Sequence, residues 1–248
     1  MSAIEFRQLE KRFSPGSVVL SVDSLDIGAG QFVSLVGPSG CGKSTLLRLV
    51  ANLDQPTSGD LRLTDAAASE RAFVFQDANL IPWRTASENI QLPLELRRRL
   101  TPEDRSAIDA VIGMVGLRAE DSRKFPRMLS GGMRMRVSLA RALVTQPNIL
   151  LMDEPFAALD DLLRNQLNEQ ILDLWQRQKW TALFVTHNVA EAVFLSQRIL
   201  VMHAQPGRIV ADMPVPFDYP RHGQLRSDPD FARFCGEVMG KLAGVAAV

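Results

Sequence analysis

Gly37-Pro38-Ser39-Gly40-Cys41-Gly42-Lys43-Ser44-Thr45 fits the pattern G-x-x-x-x-G-K-[ST] without a gap, and the reading of the fold works outward from it. Phe32-Val33-Ser34-Leu35-Val36 before it has strand composition. Leu46, Leu49, Val50 and Leu53 after it are apolar at helical spacing. Strand, loop and helix therefore stand in the order that a phosphate cradle needs. Glycines there let backbone N–H groups close round phosphate oxygens at the positive end of a helix. In that setting Lys43 reaches the β- and γ-phosphates, and the Ser44 hydroxyl binds Mg²⁺.

The 248 residues suffice for one domain with a subdomain. Lys plus Arg and Asp plus Glu are both 28, so no overall charge favours nucleic acid. Cys41 and Cys235 offer no disulfide framework, and His187, His203 and His222 have no metal-ligand spacing, which suits a cytoplasmic compartment. No apolar run approaches the ~18 residues of a spanning helix, and Met1 to Phe13 lacks the apolar core of a signal peptide. Work at a membrane therefore requires a partner.

Residues 4 to 13 and 18 to 27 partly alternate around Ser14-Pro15-Gly16 and predict antiparallel strands. Phe13, at the end of the first, is either sheet core or a ring that stacks on a nucleotide base. Leu61 and Leu63 alternate after Ser58-Gly59, and Ala72-Phe73-Val74-Phe75 predicts a strand that delivers Gln76 at its carboxyl end. From Ser87 to about Val144 the pattern is helical, with a start signal at Thr101-Pro102-Glu103-Asp104. The run Arg97-Arg98-Arg99 within it is read as a solvated face rather than a nucleic-acid site.

The same region holds Leu129-Ser130-Gly131-Gly132-Met133, ahead of Val137, Ala140 and Val144 at helical spacing. Two glycines at a helix start cost propensity. Either bare N–H groups there bind phosphate, or Ser130 simply caps a flexible turn. Ile149-Leu150-Leu151-Met152 predicts a strand buried on both faces, ending in Asp153-Glu154-Pro155. Asp153 suits Mg²⁺, directly or through water, and Glu154 suits orienting and polarising an attacking water. Phe156-Ala157-Ala158-Leu159-Asp160 leads into a helix, and Leu183-Phe184-Val185-Thr186 predicts another short strand ending at His187, read as a γ-phosphate contact. Ile199 to Met202 supplies a further strand. Beyond Pro206, interrupted by Pro214, Pro216, Pro220 and Pro229, an extended peripheral tail with a possible short helix is expected.

With these motifs in this order, residues 1 to 210 resemble the ATP-binding subunit of an ABC transporter. The resemblance implies an α/β P-loop NTPase core of RecA-like type, an antiparallel β subdomain at the front and an inserted α-helical subdomain at about 87–145, with 211–248 as a C-terminal tail. It implies ATP and Mg²⁺ as cofactors, with Gly37 to Thr45 and Phe13 on the nucleotide. It further implies Lys43, Gln76, Glu154 and His187 as catalytic groups, and Ser44, Gln76 and Asp153 on the metal. ATP would lie between two copies of the cassette, the phosphate loop of one facing Ser130-Gly131-Gly132 of the other.

Asn79-Leu80-Ile81-Pro82-Trp83-Arg84-Thr85, Glu191-Ala192-Val193-Phe194-Leu195 and Pro206-Gly207-Arg208-Ile209, with Phe156 after the Asp-Glu-Pro, look like the nitrate, sulfonate and taurine importer branch. That implies uptake of a small anion or organosulfur solute and a peripheral place on the cytoplasmic face of the inner membrane. The partners implied are a membrane-spanning permease, contacted through the segment after Gln76, and indirectly an extracytoplasmic solute-binding protein. No nucleic-acid partner is expected.

Phe13 stands where many relatives have Tyr, Met133 where Gln is commoner, and the segment from Gly59 to Arg71 looks short. One rival is an ABC-type ATPase acting on nucleic acid or ribosomes, which usually carries coiled-coil insertions or tandem cassettes that this chain lacks. Another is a P-loop kinase, which has no use for Leu129 to Gly132.

Overall fold

The computed structural model describes residues 2–14, 16–64 and 70–246. β1 (Ser2–Ser14) and β2 (Ser17–Gly28) pair antiparallel, turning through Gly16 at φ +88°. β3 (Phe32–Val36) then enters a second sheet and hands the chain to α1 (Lys43–Val50). The helix stops where Asn52 takes a left-handed conformation, so Leu53 leaves the apolar stripe expected of it and is exposed. β4 (Ser58–Leu63) returns to pair with β1, completing a three-stranded antiparallel sheet in the order β2-β1-β4. The short segment from Gly59 to Arg71 falls partly on residues 65–69, outside the described residues.

β5 (Arg71–Val74) leads into a helical stretch of α2 (Ala86–Glu95), α3 (Pro102–Met114), two single 3₁₀ turns and α4 (Gly131–Leu143). Two capping boxes fix where it begins. Thr85 caps α2 reciprocally with Glu88, and Thr101 caps α3 with Asp104, with Pro102 in the first turn where its missing N–H costs nothing. Arg97 and Arg98 are paired with Glu70 and Asp104 rather than left as a free basic face.

The remaining elements are β6 (Ile149–Asp153), α5 (Asp161–Gln178), β7 (Thr181–Val185), α6 (Val189–Leu195), β8 (Arg198–His203), β9 (Arg208–Pro214), a third 3₁₀ turn (Gly223–Ser227) and α7 (Pro229–Ala246). The second sheet has the order β5-β6-β7-β3-β8-β9, parallel except for the antiparallel edge strand β9. Its continuous apolar runs follow from burial on both faces. Phe32, Leu150, Met152, Ala182 and Phe184 pack toward α5, α6 and the helical stretch, while Val33, Leu35, Leu151, Leu183 and Val185 pack toward α1 and the antiparallel sheet.

The C-terminal segment differs from the extended tail expected. α7 begins at Pro229 and buries Phe231, Phe234, Cys235 and Val238 in the same core as Trp175 and Phe194. Ahead of it, the buried Arg221 donates to the carbonyls of Val193, Phe194 and Ser196, closing the carboxyl end of α6.

Candidate active site

Four neighbouring parallel strands, β5, β6, β7 and β3, end at one edge, because Val74 pairs with Met152, Asp153 with Val185, and Val185 with Leu35. Beyond that edge come Gln76, Asp153-Glu154, His187 and Gly37 in turn. A parallel sheet presents ligand-binding groups at its carboxyl ends, and here four loops supply them together.

The phosphate loop is held from behind. At Gly37 an added Cβ would lie 2.7 Å from the Met202 carbonyl oxygen and 2.8 Å from Cys41 Sγ, so only glycine fits without a shift. Gly40 and Gly42 have φ +77° and +93°, and Gly42 caps α1 without any side chain on the first-turn N–H groups. Those donors and the helix dipole favour an anion. Lys43 Nζ donates to the carbonyls of Gly37 at 2.8 Å and Pro38 at 2.9 Å, and its stem is buried. Pro38, Ser39 and Thr45 complete the loop at half-buried or exposed positions, while Cys41 is buried beneath it.

Ser44 Oγ donates to Asp153 Oδ1 at 2.9 Å. Burial pushes the Asp153 carboxyl up, and the Ser44 hydrogen bond opposes that shift. A hydroxyl and a carboxylate oxygen, with the exposed Gln76 amide delivered by the adjacent strand, form an all-oxygen donor set suited to a hard divalent cation. Among the described residues no cluster of three or more His, Cys, Asp or Glu side chains could hold a metal. The donor set fits Mg²⁺, which keeps water and substrate phosphate oxygens for most of its shell.

Glu154 adopts φ +46°, a left-handed conformation that costs a non-glycine residue roughly 1–2 kcal/mol. Its N–H donates to the Val185 carbonyl at 2.9 Å, so the backbone stays tied to β7. Its Oε2 lies 2.9 Å from His187 Nδ1. This carboxylate–imidazole pair can orient and polarise a water beside a bound phosphate.

Two expected site groups come from other elements. Ser130 caps α4 by accepting from the Met133 N–H at 3.2 Å. Gly131 is exposed, and a Cβ there would meet only ordinary contacts, Leu159 Cδ2 at 3.8 Å and Arg134 Nη2 at 4.0 Å, whereas a Cβ on Gly132 would come within 2.4 Å of Leu163 Cδ2. Phe13 is 64% exposed and therefore not sheet core; Lys11 Nζ stands 5.1 Å from its ring centroid.

Sequence reading gave Gly207 no structural role. Its N–H donates to the Val19 carbonyl and its own carbonyl accepts from the Ser21 N–H, and an added Cβ would meet the Cys41 carbonyl oxygen at 2.1 Å. The β8–β9 turn thus presses glycine backbone against the phosphate loop. Pro206-Gly207 was visible as a turn signal, but nothing local says what the turn touches.

A mixed sheet with a phosphate loop at its carboxyl edge and an inserted helical stretch defines a P-loop NTPase, and residues 20–157 match the family model described as ABC transporter. The chain belongs to the ABC transporter family as an ATP-binding, ATP-hydrolysing cassette. It is 44% identical to the aliphatic sulfonates import ATP-binding protein SsuB 1 of Mesorhizobium japonicum over 98% of this chain and 89% of that protein. It is 41% identical to the aliphatic sulfonates import ATP-binding protein SsuB of Bacillus subtilis over 91% of this chain and 88% of that protein. Among solved structures, the dimeric ATP-binding cassette MJ0796, in a post-hydrolysis state bound to ADP and Pi, superposes with a TM-score of 0.75 at 31% identity, covering 87% of this chain and all of the other.

Proposed function

We propose that this chain is the ATP-hydrolysing subunit of an importer for small organosulfur anions, of which alkanesulfonates are the first to test. The observation that carries the reading is the meeting of Ser44 with Asp153 and of Glu154 with His187 along one sheet edge. The sulfonate-import names of relatives more than 40% identical over nearly the whole chain supply the solute class.

In this reading Phe13 stacks on the base and the N–H groups of Gly37 to Thr45 surround the phosphates. Lys43 exchanges the Gly37 and Pro38 carbonyls for β- and γ-phosphate oxygens, a charge-assisted contact. Ser44, Gln76 and Asp153 would hold Mg²⁺, which would supply neutralisation of the charge on the phosphates. Glu154 orients and polarises the attacking water, and His187 contacts the γ-phosphate. Ser130, Gly131 and Gly132 complete the site of a second copy of the chain, where bare backbone at the start of α4 meets the γ-phosphate.

The permease docks on the surface after Gln76. Trp83 is 77% exposed there and lines, with Pro82, Phe125 and Arg127, a shallow groove of about 350 Å³. A large amphipathic ring beside a groove is the kind of anchor a partner helix uses. No helix among the described residues is long and apolar enough to cross a membrane. In this proposal the permease holds the cassette on the cytoplasmic face of the inner membrane, and the solute-binding protein acts without touching it. Residues 1–210 form the cassette proper, with its helical subdomain at about 87–145.

The test is alkanesulfonate uptake by vesicles holding the cassette with its membrane-spanning permease, supplied with the solute-binding protein. ATP-dependent uptake that Glu154→Gln abolishes is expected. Uptake that persists at the normal rate with Glu154→Gln would move the catalytic carboxylate elsewhere, and vesicles that never take up alkanesulfonate would reject the solute class.

A further inference from the structure

Six of the seven residues of α6 are apolar; the exception, Glu191, is buried to 4% exposure and has no part in the chemistry above. Its carboxylate is nonetheless central to a network. Oε2 accepts from Thr186 Oγ1 at 2.5 Å, and Oε1 lies 3.4 Å from the Asn168 Nδ2 donor and 3.9 Å from Arg164 Nε. A buried carboxylate is costly, so a structure retains it where its partners need it.

Those partners control both loops that carry the proposed water-activating pair. Thr186 immediately precedes His187, and its Oγ1 also accepts from the Asn188 N–H at 3.0 Å. Fixed at both ends, Thr186 sets the direction in which the chain leaves β7, and with it the His187 ring that meets Glu154. On the other side, Arg164 donates to the carbonyls of Phe156 at 3.3 Å and Leu159 at 2.6 Å, and to Asp161 Oδ1 at 2.5 Å. Residues 156–159, which follow Glu154, are therefore pinned by the guanidinium that faces Glu191.

We infer that Glu191 is a positioning residue, the buried joint that ties the His187 turn to the loop after Glu154 so that the two move as one unit. This rests on the assignment of Glu154 and His187 made above. A misplacement of about 1 Å at a reacting geometry can cost on the order of 10²-fold in rate, so the joint acts on turnover and not on nucleotide affinity.

The experiment compares Glu191→Ala, Glu191→Gln and Thr186→Val in the full-length protein, measuring kcat, KM for ATP, nucleotide Kd and thermal midpoint. Glu191→Ala and Thr186→Val should each lower kcat by about ten- to a hundredfold with Kd nearly unchanged. Glu191→Gln, which keeps the shape and can still hydrogen-bond Thr186 and Asn168, should restore most of kcat. The double variant Thr186→Val/Glu191→Ala should be no worse than the poorer single one, because both break the same link.

A folded Thr186→Val protein with wild-type kcat overturns the inference even where Glu191→Ala does not fold. So does a loss of kcat that merely follows loss of folded protein, or that Gln does not relieve. Glu154→Gln in the same assay separates the two levels. If it turns over normally, the water-activating assignment itself fails. If it is inert while the Glu191 and Thr186 variants are fully active, only the joint fails.

Discussion

Two glycine-bearing helix starts, residues 37–45 before α1 and 130–132 before α4, share backbone chemistry and differ in what surrounds them. The first is enclosed by its own chain: Met202 closes on Gly37, Gly207 presses on the Cys41 carbonyl, and Lys43 and Ser44 are tied to loop carbonyls and Asp153. The second is open at Gly131, which is exposed and where an added Cβ meets nothing closer than Leu159 Cδ2 at 3.8 Å, although Leu163 covers Gly132. A complete phosphate cradle and a bare one in the same chain suggest that the bare one is finished by another molecule.

The largest effect should come from breaking the enclosed start. Lys43→Ala removes a charge-assisted contact to the phosphates and should lower hydrolysis by roughly 10²–10³-fold or more, with weakened ATP binding. Steady-state turnover and nucleotide titration of the purified variant check it, and near wild-type turnover would end the phosphate-loop assignment.

Hybrids of defined composition sharpen the comparison next. One joins a Lys43→Ala protomer to a Gly131→Asp protomer, in which the aspartate puts bulk and like charge against the γ-phosphate. If the open start completes the partner's site, both defects fall in one site and the other is intact. A wild-type protomer joined to one carrying both changes then has a defect in every site. Hydrolysis is expected from the first hybrid and not from the second; the reverse pattern would mean that each chain works alone.

Much of the enclosed start was legible in the sequence because it is local. The loop pattern, the apolar run of β6 and the polar groups ending β5, β6 and β7 are all short contiguous signals, and the Thr101 capping box spans four residues. What was not legible is contact between distant segments. Nothing near Gly207 says that it backs Cys41, and nothing near Glu191 says that Thr186 and Arg164 converge on it. The C-terminal helix lies between these cases. Four prolines argue for an extended tail, yet Phe231, Phe234, Cys235 and Val238 stand at i, i+3, i+4 and i+7 directly after Pro229, a stripe that outweighs prolines lying before it.

A smaller effect on the chemistry is expected at the docking surface. Trp83 is mostly exposed, so Trp83→Ala should change stability by no more than about 0.5 kcal/mol and leave basal ATPase largely intact. Solute uptake in the reconstituted transporter should be lost. Unchanged uptake would remove Trp83 from the permease contact.

The smallest effect separates the two glycines of the open start from each other. At Gly131 a methyl group meets nothing closer than Leu159 Cδ2 at 3.8 Å, so Gly131→Ala should gain helix propensity in the first turn of α4, at most about 1 kcal/mol. At Gly132 the methyl would lie 2.4 Å from Leu163 Cδ2 and 3.2 Å from its Cγ, so Leu163 must move and the first turn of α5 with it. Overpacking of that kind costs about 1–3 kcal/mol. Chemical denaturation of the two single variants should therefore shift in opposite directions. Hydrolysis should not follow stability: Gly131→Ala, the more stable chain, should still turn over more slowly, because its methyl stands where the partner's γ-phosphate must approach bare backbone. If Gly131→Ala gains stability and keeps full turnover, the glycine at 131 is not there for a nucleotide, and Ser130 to Gly132 reduces to a helix cap.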